Sequence, residues 1–103
     1  MPSIAGTDVK RVVVACEAGM GSSVLLTSQL SRKLAPLGVE VTHSPVNRLS
    51  DETGDLVLCH QGLAARARQA APSTVVVPFQ LFMGDPAFAA VEAAIRDGGT
   101  ING

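Results

Sequence analysis

The chemistry available to this chain centres on Cys16 and the seven residues after it, Glu17, Ala18, Gly19, Met20, Gly21, Ser22 and Ser23. Val12, Val13 and Val14 lead into the cysteine and read as a strand covered on both faces, the habit of a parallel sheet. Gly19 and Gly21 let the backbone turn tightly and approach a ligand. Ser22 or Ser23 caps a helix that continues through Val24, Leu25 and Leu26. A loop of this kind aims several backbone N–H groups at one point with a helix N-terminus behind them, which suits an anion. The field that holds an oxyanion also favours a thiolate, so Cys16 is placed to be a nucleophile. A cysteine can also be a small buried apolar side chain; its coincidence with an anion loop favours the nucleophile.

Other groups carry less. Cys59 ends a later apolar run and reads as a strand-end cysteine facing the core; a redox pair with Cys16 requires Cα atoms within about 7 Å. His60 falls at the mouth of the same crevice, where an imidazole stabilises anionic charge or meets the thiolate, against the alternative of a surface or core filler. His43, at the end of an edge strand, has a weaker claim. Glu17 opposes an anion electrostatically unless its carboxylate points outward, which is the expectation. Arg66 and Arg68 read as a solvated helix face. Phe79, Leu81, Phe82 and Met83 read either as core beneath a loop or as an apolar rim for partner docking. No set of His, Cys, Asp and Glu has metal-ligand spacing.

The elements that position these residues alternate between strand and helix. Residues 1–9 are expected to form a flexible leader, polar and interrupted by Pro2 and Gly6. Residues 10–15 form the first strand. A helix follows over 22–35, with Leu26, Leu30, Leu34 and Leu37 at spacings of four, four and three, ended by Pro36 and Gly38. Residues 39–42 alternate as a half-exposed edge strand, 43–53 form a polar loop, and 55–59 form a buried strand. An Ala-rich helix over 62–71 turns Leu63 and Ala67 inward and is closed by Pro72; residues 74–77 are a fourth strand. After a loop over 78–85, Pro86 opens a last helix to about residue 96, with Phe88, Val91 and Ile95 inward. Residues 98–103 are expected to fray, which leaves 10–97 as the domain. The pattern predicts an α/β fold with a single open four-stranded parallel sheet in the order 2-1-3-4, right-handed crossovers and helices on both faces. The Cys16 loop, after strand 1, then lies mid-way along the C-terminal edge of the sheet, where open α/β sheets bind ligands.

Composition removes several function classes. At 103 residues, 47% of them hydrophobic, the chain is one domain with enough apolar material for a core. A net charge of −1 offers no basic field for nucleic acid. No apolar run reaches the roughly 18 residues of a membrane span, so direct membrane insertion is not expected, and the N-terminus lacks a basic region followed by an apolar one. Two cysteines outside any dense framework point to a reducing cytoplasm.

A Cys-x5-Ser loop after a buried first strand, in a chain of this length, resembles the enzyme IIB components of the bacterial phosphoenolpyruvate-dependent sugar phosphotransferase system, of the mannitol-like type. The resemblance is carried by Ala15 to Ser23, with Asp more usual at the Glu17 position. It continues in Asn47-Arg48-Leu49 and in Asp55-Leu56-Val57-Leu58-Cys59-His60, and it covers the chain from Lys10 to Arg96. It implies a phosphocysteine carrier: a phosphohistidine on enzyme IIA passes its phosphoryl group to Cys16, which passes it to a sugar or sugar alcohol bound by the membrane-embedded enzyme IIC. Backbone amides of residues 18–23 and the Ser22 and Ser23 hydroxyls would hold the phosphoryl oxygens, with no metal or organic cofactor. The competing reading is a small cysteine-dependent phosphatase or arsenate reductase-like enzyme, whose loop resembles Cys-x5-Arg. Ser22 stands here in place of that arginine, although Asp85-Pro86 is similar to a phosphatase general-acid loop. A regulatory relative that only binds partners is a third reading, weakened by the presence of Cys16.

Overall fold

A computed structural model of the chain describes residues 2–17, 21–81 and 84–102, without the side chains of residues 21–23. In chain order the elements are β1 (Ser3–Ala5), β2 (Arg11–Cys16), α1 (Gly21–Leu34), β3 (Glu40–Pro45), β4 (Leu56–His60), α2 (Ala64–Ala70), β5 (Val75–Phe79), α3 (Pro86–Asp97) and β6 (Thr100–Asn102). The apolar runs of β2, β4 and β5 pair in parallel with β3 in the order β3-β2-β4-β5. Once β1 is set aside, this is the 2-1-3-4 order that the sequence predicts.

Alternation along the strands divides the core in two. Val12, Val14, Leu56, Leu58, Val75 and Phe79 face α1 and α3, which contribute Leu26, Leu30, Leu34, Phe88, Val91 and Ile95. Val13, Ala15, Val57, Cys59 and Val76 face α2, whose Ala64 and Ala67 let it lie close to the sheet. Helices therefore cover both faces. Packing decides the fate of α1. Its Thr27, Ser28 and Ser31 each forgo up to about 0.7 kcal/mol of helix propensity, whereas each buried leucine contributes about 1.5–3 kcal/mol. Beyond Leu34 the chain tightens into a 3-10 turn, Ala35–Leu37, and Gly38 stops it in the left-handed region at φ 78°.

Four expectations are corrected. Within the expected leader, 1–9, and the expected tail, 98–103, the described residues are not loose: β1 and β6 pair antiparallel, with Ile4 opposite Ile101. Both isoleucines pack on the α1/α3 side of the core together with Val9, and the Gly6 N–H donates to the Gly99 carbonyl at 2.6 Å. Gly6 lies so close to the Ala94 carbonyl of α3 that no Cβ fits there. The edge strand does not end at residue 42: β3 runs on to Pro45, paired with Cys16. Nor does the fourth strand end at residue 77: β5 includes Pro78 and Phe79. Both strands are sheet edges, where a proline that cannot donate to a ladder is tolerated.

Candidate functional site

Cys16 is the last residue of β2, flanked by β3 and β4 in the middle of the sheet's C-terminal edge. Its side chain is almost covered, and the thiol donates to the Ser44 carbonyl at 3.6 Å. Helix α1 begins at Gly21, five residues further on. The first N–H groups of a helix have no intrahelical acceptor and carry partial positive charge. The first turn of α1 holds no acidic residue to use them, while Arg32 and Lys33 complement its other end. Of the proposed phosphoryl-binding loop, Ala18, Gly19 and Met20 lie outside the described residues, as do the side chains of Gly21, Ser22 and Ser23.

Glu17 is exposed, and its Oε1 lies 3.5 Å from Nη1 of Arg66 on α2. The carboxylate next to the thiol is thus matched by a cation. Arg66 belongs to the surroundings of the site rather than to an idle polar face. That contact joins residues far apart in the chain, so no local pattern announces it. The Ser44 carbonyl, 28 residues from Cys16, is hidden from local sequence for the same reason.

Cys59 pairs with Ala15 and is fully buried on the α2 side, where burial pushes its thiol up to about 11, partly offset by the positive charge of Arg68. Both cysteines are free thiols. His60 ends β4 at the same sheet edge as Cys16; its Nδ1 accepts the Gly62 N–H at 3.1 Å and its ring meets Phe79 edge-on at 6.2 Å. His43 is exposed on β3.

The apolar residues 79, 81, 82 and 83 do not share one environment. Phe79 is core, Leu81 is 59% exposed, and Phe82 and Met83 lie outside the described residues. Val24 and Leu25 are also exposed, because they sit off the Leu26–Leu30–Leu34 stripe in the opening turns of α1. Asp85 is the N-cap of α3: Oδ1 accepts from Ala87 N–H at 2.9 Å and Oδ2 from Gln80 and Leu81 N–H at 2.8 and 3.0 Å. Those bonds, the one from Ala87 foremost, hold its carboxyl below the ordinary carboxylate range. A phosphatase general acid must hold a proton, so this carboxylate is arranged for the opposite state. Among the described residues, no group of three or more His, Cys, Asp and Glu is placed to hold a metal ion, and no helix is long and apolar enough to cross a membrane.

Residues 11–93 match the family described as PTS system, lactose/cellobiose specific IIB subunit. The chain belongs to this IIB family of the phosphotransferase system. This IIB chain is also 38% identical over 82 residues to the mannitol-specific EIICB component of Geobacillus stearothermophilus, covering 78% of the chain and 17% of that relative. It is 40% identical over 78 residues to the mannitol-specific EIICBA component of Vibrio cholerae, covering 74% and 12%. Against the mannitol-specific EIICBA component of Escherichia coli it is 35% identical over 78 residues, covering 73% and 12%. The IIB chain therefore spans less than a fifth of the length of these curated relatives.

Proposed function

We propose that this IIB chain is a phosphoryl carrier in sugar uptake, with Cys16 as the residue that is phosphorylated. The observation that carries the reading is the position of Cys16, at the end of the central strand with the start of α1 five residues on, in a chain of this family. In the first transfer the Cys16 thiolate attacks phosphorus in line, the S–P bond forms, and the P–N bond to a histidine of an enzyme IIA partner breaks. In the second, a hydroxyl of a sugar or sugar alcohol, mannitol by the names of the relatives, attacks the same phosphorus on enzyme IIC. An O–P bond forms as the hydroxyl loses its proton, and Cys16 leaves as a thiolate. Both steps depend on positioning and charge stabilisation more than on covalent help from the protein. Glu17, Ala18, Gly19, Met20, Gly21, Ser22 and Ser23 are the loop to which we assign the phosphoryl oxygens. The thiol that donates to Ser44 in the resting chain gives up that bond on ionising.

The exposed Val24, Leu25 and Leu81 supply apolar contact for the two partners at the same sheet edge. In this reading the domain works in the cytoplasm and meets the membrane through enzyme IIC.

The test is intact-mass spectrometry after incubation with phosphoenolpyruvate, the general phosphotransferase proteins and a mannitol-type enzyme IIA. One phosphoryl group is expected on the native chain and none on the Cys16→Ser variant. A variant that still accepts the group, or a native chain that accepts none while hydrolysing an aryl phosphate, overturns the assignment.

A further inference from the structure

We infer that His60 donates a hydrogen bond from Nε2 to the phosphoryl group on Cys16, in a tautomer set by the backbone of Gly62. The inference rests on the carrier reading and adds to it a side chain from another strand. Strands β2 and β4 run in register from Val12 beside Leu56 to Ala15 beside Cys59. The ladder ends at that pair; Cys16 and His60 are the next and last residues of the two strands, and neighbouring strands of a sheet lie about 4.8 Å apart. Alternation then gives the face. Cys16 shares one with Val12 and Val14, and His60 shares it with Leu58 and Phe79, all on the α1/α3 side.

The ring is also oriented. Nδ1 accepts the Gly62 N–H at 3.1 Å, so this nitrogen carries the lone pair and Nε2 carries the proton of the neutral imidazole. Phe79, edge-on at 6.2 Å, restrains the ring plane. A histidine beside a phosphocysteine brings a hazard, because an imidazole lone pair is itself a phosphoryl acceptor. Neutral imidazole has one such lone pair, and here the Gly62 N–H occupies it. What remains is a donor, and a donor to a phosphoryl oxygen forms a charge-assisted hydrogen bond.

Two substitutions separate the halves of this ring. His60→Gln puts an amide N–H near the position of Nε2 and loses the acceptor for Gly62. His60→Asn keeps an acceptor where Nδ1 was and reaches no further. The experiment is single-turnover phosphorylation of the full chain by a phosphorylated mannitol-type enzyme IIA, followed by intact mass, with Tm measured on each variant. His60→Gln is expected to react within about threefold of the native rate, and His60→Asn about 10- to 100-fold slower despite the higher Tm of the two. A residue that only caps the Gly62 turn gives the reverse order of rates, which overturns the inference. So do equal rates in all three proteins, with the carrier reading intact. A native chain that accepts no phosphoryl group overturns both. Long-range proton–nitrogen NMR of the native chain, which needs no partner, is expected to show the Nε2–H form; the Nδ1–H form overturns the inference by itself.

Discussion

Cys59 stands beside Ala15, one residue short of Cys16, and strand alternation turns the two thiols to opposite faces of the sheet. The register that brings the cysteines together along the chain therefore separates them in chemistry. With burial pushing the Cys59 thiol up to about 11, roughly one molecule in a thousand carries that thiolate at pH 8. Alkylation of the native protein at this pH is expected to modify Cys16 alone, and mild oxidation to form no intramolecular disulfide. Peptide mapping checks both; a labelled Cys59 or a Cys16–Cys59 bridge would show that the sheet opens.

The contact between Glu17 and Arg66 predicts a small, salt-sensitive effect. Arg66→Ala leaves a carboxylate unmatched next to the incoming phosphoryl group, and Glu17→Gln removes that charge. Both side chains are more than half exposed, and such pairs are worth about 0–1 kcal/mol. Phosphorylation is expected to slow about two- to fivefold for Arg66→Ala at low ionic strength and to quicken by a similar factor for Glu17→Gln. Both differences shrink in high salt. Rates measured across an ionic-strength series, with Tm unchanged, check this.

Asp85 predicts the pH dependence. Its carboxyl is held below the usual range by the amides of Ala87, Gln80 and Leu81. A depressed pKa in the folded state adds stability that is fully present above the unfolded value of about 4. That stability is lost as pH falls through the folded value. Asp85→Ala is expected to cost about 1–2 kcal/mol at neutral pH. Asp85→Asn keeps one acceptor oxygen but turns its NH2 towards N–H groups that the other oxygen served, so it should also lose stability at neutral pH, and it should flatten the acid limb. Denaturant titrations between pH 2 and pH 7 would reveal a limb that did not change.

Gly6 predicts a steric effect. An added Cβ meets the Ala94 carbonyl, a backbone atom that moves only with α3. Gly6→Ala is expected to destabilise by about 1–3 kcal/mol while leaving phosphorylation at Cys16 unchanged below the unfolding transition. Thermal unfolding followed by circular dichroism measures the first, and intact mass the second.

These residues also show what the sequence makes legible. Val12–Val14 and Leu56–Leu58 are apolar throughout, so their burial on both faces can be read directly, and the parallel order follows from the helices between them. The helix stripes of Leu26, Leu30 and Leu34 and of Phe88, Val91 and Ile95 are legible for the same reason. Strands β1 and β6 are three residues each with one isoleucine apiece, which is too little for any period. Pro45 and Pro78 look like loop residues because the cue for an edge strand is the absence of a further neighbour, a property of the sheet and not of the segment. Around Cys16 the expectation of a nucleophile comes from the loop that follows it in the sequence. The Ser44 carbonyl and Arg66 come from other elements, so they become visible only when the strands are aligned. Asp85 before Pro86 was half legible: the pair marks the helix start, but its two further amide partners belong to the loop behind it.

The pairing of β1 with β6 has a mechanical consequence. Ser3 and Asn102 are opposite each other, and Cys16 lies at the end of β2. Any polypeptide continuing from either terminus departs from one spot, so the domain would hang on a single pivot rather than be strung between two anchors. A swing about that pivot would carry Cys16, at the end of β2, with the sheet as a unit and with no bond inside the sheet disturbed.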